Sequence, residues 1–210
     1  MILSLNEIEA TILKAGRGAG LTWGLAEEAA QAARAFARAG IPFEAAFLHL
    51  FETAPWRADL MLGRHAIRPR LPTAWLCPIR TGVCLSDLAD ILPLRVERVL
   101  CPLLLLPFAS GLERAIVFAA NGVTLGLRGP DLAPLEGEAV RRLGEPTELV
   151  ELTASSATAQ ASRCVPPRQP GVAIDMVVWR KLQAFEALTY VPASRRSRLL
   201  GAGAGAIDND

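Results

Sequence analysis

Lysine is nearly missing from this chain. Its 22 basic residues are Lys14, Lys181 and 20 arginines, and 21 acidic residues bring the formal net charge to +1. That balance offers no general field for a polyanion, which argues against nucleic acid as a partner. No two of Cys77, Cys84, Cys101 and Cys164 stand at CxxC spacing, so the pattern suggests neither a zinc site nor a disulfide framework. No apolar run reaches bilayer length. The longest, Val99–Leu112, is 14 residues interrupted by Pro102 and Pro107, against the ~20 that a membrane helix needs. The opening MILSLNEIEA has no basic n-region and puts Glu7 and Glu9 where a signal peptide would be apolar. A cytoplasmic protein with no membrane partner is the expectation. GxSxG, HExxH, GxGxxG after a strand, and a P-loop GK[ST] are all absent, so no catalytic machinery can be assigned.

What is present is a core. Hydrophobic residues make up 51% of the 210 and charged ones only 20%, which excludes global disorder. Ser4 with Glu7 forms a capping box, and Leu5, Ile8 and Ile12 repeat at helical spacing. The pattern predicts a first helix ending near Ala15, a second over 25–39 with an alanine stripe, and a third over 43–53. A short fourth helix is expected over 56–64. Strands are then expected at 73–79 and 81–85 around an Arg80–Gly82 turn. One or two helical turns capped by Ser86 follow, and then a strand buried on both faces over 96–108. Asn121-Gly122 between apolar segments 115–120 and 123–128 predicts a two-residue type I′ hairpin. Loop is expected over 129–146, a strand over 147–152, a mobile loop over 153–170, and a helix over 172–190.

The fold expectation is α+β, with N-terminal helices, a largely antiparallel sheet in the middle, and a C-terminal helix with a Gly-rich arm. Residues 1–192 form one domain, with a helical part (1–70), a sheet-bearing part (71–153) and the C-terminal helix (172–190). Residues 193–210 form the arm. Three cysteines fall in apolar strand-like segments and are expected to be free, buried thiols. Cys164, beside Arg163, is the one expected to be exposed.

SLNEIEATILKAGRGAGLTWGLAEEAA at 4–30 and TYVPASRRSRLLGAGAGAIDND at 189–210, with LCPIRTG at 76–82, resemble an uncharacterised bacterial family, a domain of unknown function. The chain departs from that pattern at Arg195-Arg196, where the family has an acidic residue and an alanine. The resemblance implies a role for the RGAG turn and the Gly-rich arm. It implies no activity and no cofactor.

Arg17-Gly18-Ala19-Gly20 has two readings: backbone N–H groups and a guanidinium around an anion, or a C-cap and turn between helices. The anion reading builds a substrate site from Arg17, Gly18, Gly20, Trp23, Arg80, Thr81, Tyr190 and Arg198. The arm, with Asp208, Asn209 and Asp210, is either a solvated end or a segment packed on the RGAG turn or a neighbouring subunit. Its oxygens suit a hard cation in type, but no second carboxylate cluster supports a metal site. His49 falls on the apolar side of a helix and His65 in a loop. Asp87 is either a base or an acid in the first turn of a short helix. The leading functional expectation is a small-molecule enzyme, or the small subunit of one, with an anion-accepting polar site. The alternative is a non-catalytic accessory or assembly protein docking through its arm, as a homo-oligomer or on a protein partner.

Overall fold

The computed structural model describes residues 1–88, 91–112, 114–155 and 171–190. After a short strand β1 (Ile2–Leu3), the expected capping box opens helix α1 (Leu5–Ala19). Ser4 Oγ accepts the Glu7 N–H at 3.2 Å, and Glu7 Oε2 accepts the Ser4 N–H at 2.8 Å. The helix does not stop near Ala15. It runs through Gly16 and Gly18 and ends only at Gly20, in the left-handed conformation at φ 102. Each glycine costs about 1 kcal/mol of helix propensity, but both lie where neighbours press on the helix, and packing wins. RGAG is therefore the last turn of a helix, not a loop.

Helix α2 (Trp23–Ala39) buries Ala26, Ala29, Ala30, Ala33 and Ala37 around Phe36, so it can lie close along α1. Helix α3 (Glu44–Thr53) follows. Phe43, Phe47, Phe51 and Trp56 stack in successive edge or tilted contacts at 6.0–6.5 Å, and Phe185 joins at Phe51. The expected helix over 56–64 is instead a 3-10 turn, Pro55–Arg57, leading into strand β2 (Leu60–Leu62). With β3 (Ala66–Pro69), two strands of the main sheet thus lie ahead of residue 70.

The next segments correct the reading from residue 73 to 108. Residues Pro78–Asp87 form helix α4, with Pro78 at its first position and Pro78, Ile79, Thr81, Gly82 and Leu85 buried. A β-rich composition over 73–85 was overridden by that helical stripe, because Gly82 meets the Phe108 ring where a Cβ would stand 2.2 Å away. Ser86 is inside this helix and caps nothing; its Oγ donates to Gly82 O at 3.4 Å. Strand β4 is only Leu94–Val99. A 3-10 turn (Pro102–Leu105) and helix α5 (Leu106–Ser110) replace the rest of the expected long strand, each with a proline in its first two positions.

The hairpin is as expected. Strands β5 (Ile116–Ala120) and β6 (Val123–Leu127) flank Asn121 at φ 48 and Gly122 at φ 72, and Ala120 pairs with Val123. Helix α6 (Gly137–Gly144) occupies the stretch read as loop. Asn121 Nδ2 closes its end by donating to Arg142 O (2.7 Å) and Glu145 O (3.1 Å). Strand β7 (Thr147–Ala154), strand β8 (Val172–Ala173) and helix α7 (Met176–Ala187) complete the chain. The loop expected over 153–170 and the arm, 193–210, lie largely or wholly outside the described residues.

The sheet order is β2-β3-β4-β7-β5-β6. Every pairing in it is antiparallel except β3–β4. Val96, Ile116, Phe118, Val150 and Leu152 point into the core and are fully buried. Arg95 and Glu151 pair at 3.2 Å on the other face. A separate ribbon joins β1 to β8, and α7 lies on α1 and α3, tying the last described helix to the first. Arg98, at φ 55, pins the 73–76 segment to the sheet. It donates to Ala74 O, grips Glu148 at 2.7 Å and stacks 4.2 Å from the Trp75 ring. Among the described residues, no helix is long and apolar enough to cross a membrane.

Candidate functional site

Four of the expected site residues, Arg17, Gly18, Gly20 and Trp23, lie at the end of α1, and Tyr190 meets the same helix one turn earlier, at Lys14. Arg17 Nη1 donates to Leu21 O, and its guanidinium lies 5.7 Å from the centroid of the Trp23 ring. The Trp23 indole N–H donates to Glu27 Oε1 at 2.7 Å. Tyr190 donates its hydroxyl to Glu186 Oε1 at 2.6 Å, and Lys14 reaches the same carboxylate at 3.1 Å while lying over the Tyr190 ring. Those hydrogen bonds raise the pKa of both Lys14 and Tyr190. Gly18 faces α7 so closely that a Cβ would meet Phe185 O. Gly20 is the open left-handed cap. Gly18 thus serves helix packing and Gly20 helix termination.

Arg80 and Thr81 are not in a turn. Arg80 donates to the carbonyls of Trp56 (3.3 Å) and Ala58 (3.0 Å), holding the segment before β2 against α4. Thr81 is fully buried with no partner for its hydroxyl. Arg198 lies outside the described residues. His49 is on the solvent side of α3, not the apolar side, with Nδ1 3.5 Å from Thr53 Oγ1. Asp87 ends α4 and does not begin a helix. Cys77, Cys84 and Cys101 are free thiols, two buried and one half-buried. They lie at helix starts or within a helix rather than in strands. Burial pushes Cys77 up to about 11 and Cys101 up to about 12, so neither is a nucleophile near neutral pH. Among the described residues no group of His, Cys, Asp and Glu could hold a metal ion.

The large concavity lies elsewhere, between α2, α3, α6 and the start of α7, with a volume of about 1410 Å³. Ile41, Phe43, Leu103, Val140 and Val178 give it an apolar lining. Arg34 and Arg38, one turn apart on α2, and Arg141 on α6 bring cations to it. Arg34 is held by the half-buried Glu9 at 2.7 Å, Arg38 by the exposed Asp131 at 3.1 Å, and Arg141 by Glu138 at 2.6 Å and by Glu145. Leu5 of α1, Glu44 of α3 and the α7 N-cap Asp175 also border the cleft, so the partial positive charge of three helix N-termini lies at its wall. Part of that field is used internally. Glu44, buried at the first position of α3, accepts Phe43 N–H at 2.9 Å and Asp175 N–H at 3.3 Å, and Asp175 caps α7 through Val177 N–H at 2.8 Å. His49 stands on the same wall, one turn after Ala45.

Sequence reasoning missed this cleft. The one local signal was Arg34 and Arg38 at i,i+4, on the face of α2 away from its alanine stripe. The rest of the lining comes from segments spread between Ser4 and Val178, which no local pattern reports. Neither a curated protein nor a solved structure matches the chain. Residues 3–88, which reach from β1 past the end of α4, match the model of a family described as Protein of unknown function (DUF3726), so the expected likeness to a domain of unknown function is shown over this part of the chain.

Proposed function

We propose that the protein binds a small molecule with an acidic group and an apolar body in the cleft between α2, α3, α6 and α7. This keeps the expected anion-accepting small-molecule site but moves it away from the RGAG turn. The observation that carries it is the juxtaposition of Arg34, Arg38 and Arg141 with an apolar lining in one cavity of about 1410 Å³. Ligand pockets combine those two features, with few polar groups fixing orientation on a mostly apolar wall. The Arg38–Asp131 pair is exposed, and such a pair contributes at most about 1 kcal/mol. A ligand carboxylate or phosphate can therefore take a guanidinium over at little cost, and a bidentate approach strengthens the contact.

The test is thermal melting of the full chain with octanoate, phenylpyruvate and phenyl phosphate, using octanamide as the uncharged control. A ligand at ten times its Kd stabilises by about 1.4 kcal/mol, or roughly 3–6 °C for a chain of this size. At least one acid is expected to raise the melting temperature, octanamide is not, and Arg34→Gln with Arg38→Gln should abolish the shift. Acids that leave the melting temperature unchanged, or a shift that survives both substitutions, would sink the proposal.

A further inference from the structure

One wall of the cleft carries backbone rather than side-chain chemistry. Strand β8 belongs to a ribbon of two strands, so only one of its edges is paired among the described residues. The register puts Ala173 opposite Ile2 and Val172 opposite Leu3, and Ile174 N–H donates to Met1 O at 3.0 Å. In an antiparallel pair, successive residues turn their N–H and C=O alternately toward the partner strand and away from it. Ile174 faces β1, so Ala173 and Asp175 face the other way. The Asp175 N–H shows what lies there, because it donates to Glu44 Oε1 at 3.3 Å. Glu44 borders the cleft, and so do Gly171, Val172 and Ala173. Ala173 is exposed, and its outward N–H and C=O form an open edge of the kind that templates the addition of another extended chain.

We propose that the acid bound in the cleft is a short peptide with a free C-terminal carboxylate, extended along β8 so that one of its residues exchanges both backbone hydrogen bonds with Ala173. This rests on the acid-binding reading of the cleft and narrows it to one class of ligand. A simple carboxylic acid uses Arg34 and Arg38 but leaves the strand edge idle, whereas a chain of amides ending in a carboxylate uses both. In strand addition the main-chain bonds supply affinity, and pockets for alternate side chains select sequence. Ile41, Phe43 and Val178 line the same cleft, so apolar side chains are favoured. Glu44 occupies the next outward N–H, at Asp175, and ends the ladder there. A ligand carboxylate at that end would meet Glu44 and Asp175, so it lies toward the arginines of α2. The cleft, at about 1410 Å³, exceeds the ~300–1,000 Å³ of ordinary small-molecule sites and has room for several residues.

The experiment measures binding to the full chain by calorimetry, with acetyl-Leu-Ala-Leu as the peptide and octanoate as an acid that has no amide. Ala173→Pro removes an N–H that the ribbon does not use, and proline is tolerated on that side of an edge strand. Ala173→Val keeps the N–H and serves as its control. The parent should bind the tripeptide about tenfold tighter than octanoate, the contribution of two net backbone hydrogen bonds. Ala173→Pro should lose most of that advantage with octanoate binding unchanged, and Ala173→Val should alter neither. Hydrogen exchange on the parent reads the same contact without a substitution. Saturating tripeptide should slow exchange of the Ala173 amide severalfold, and octanoate should not. A tripeptide bound no tighter than octanoate, a proline variant that keeps the advantage, or unchanged exchange at Ala173 would overturn this inference and leave acid binding in the cleft standing. If neither ligand binds the parent, the acid-binding reading itself falls, and this inference with it.

Discussion

Glycine at position 18 gives the sharpest test of how the first and last described helices meet. A Cβ there would stand 1.8 Å from Phe185 O and 2.8 Å from its carbonyl carbon. Carbon–oxygen contacts normally begin at about 3.3 Å, so Gly18→Ala forces α1 and α7 apart by about 1.5 Å. The obstacle is backbone, so no rotamer change relieves it. The shift would loosen Lys14–Glu186 at 3.1 Å and the Phe51–Phe185 ring contact at 6.0 Å. Against this stands the helix propensity of alanine, about 1 kcal/mol. Overpacking costs about 1–3 kcal/mol where side chains can adjust, and more where they cannot. We expect a net loss of about 2 kcal/mol or more, and a melting temperature lower by about 4–8 °C. Gly24→Ala is the control. Gly24 lies in the first turn of α2, and a Cβ there would meet nothing within 4 Å, so the same substitution should raise the melting temperature by about 1–3 °C. Urea unfolding followed by circular dichroism, with calorimetry beside it, reads both. If Gly18→Ala is as stable as the parent, the α1–α7 contact is not the close approach described.

Arg98 combines a left-handed backbone with a side chain that stacks on Trp75 and grips Glu148. Arg98→Ala should cost about 2 kcal/mol, and Arg98→Gly should be the less damaged of the two because glycine tolerates φ 55; an alanine variant more stable than the glycine one contradicts this. Glu138 is held down to about 2, from an ordinary 4.5, by hydrogen bonds from Arg141 and Arg142. Its folded pKa is the lower one, so its contribution is present above pH 4.5 and lost as pH falls toward 2. The difference in melting temperature between parent and Glu138→Gln should accordingly shrink across that window, and a constant difference would refute the assignment. Cys77 and Cys101 should resist a thiol reagent at pH 8 until the protein unfolds, and mass-spectrometric detection of label on either one in the native state would count against their burial.

Where sequence signals were local and chemically specific, they read correctly. Asn121-Gly122 requires two residues with φ > 0, and few pairs other than Asn-Gly supply them. Ser4 and Glu7 satisfy each other across one helical turn. Failure came where composition stood in for periodicity. Residues 96–108 are apolar on every side, and a uniformly apolar run does not distinguish a strand from a 3-10 turn and a short buried helix. Thr81, Val83 and Cys84 suggested strand, but Pro78 can begin a helix and cannot belong inside a sheet, which was the better guide. Helix α6 was hidden between glycines and prolines, although Glu138 with Arg141 and Arg142 at i,i+3 and i,i+4 was a usable signal. The residues read from motifs, Arg17, Gly18 and Trp23, lie along the end of α1 and outside the cleft. The cleft stayed illegible because its walls are joined only by tertiary folding.

The boundary of the family match has a consequence for how this protein can be dissected. Residues 3–88 hold α1 to α4 and the first sheet hairpin, yet each of these is finished by a later part of the chain. The β3 strand pairs with β4 through Ile67 and Val96, β1 pairs with β8 through Leu3 and Val172, and α1 receives α7 at Gly18. A fragment cut at residue 88 would carry one bare strand edge, one unpaired ribbon and one uncovered helix groove, each of them apolar. The segment recognised by sequence is thus not a separable folding body. Work on residues 3–88 requires the chain that follows them, because a shortened protein would expose surfaces that invite association and give binding results unrelated to its own cleft.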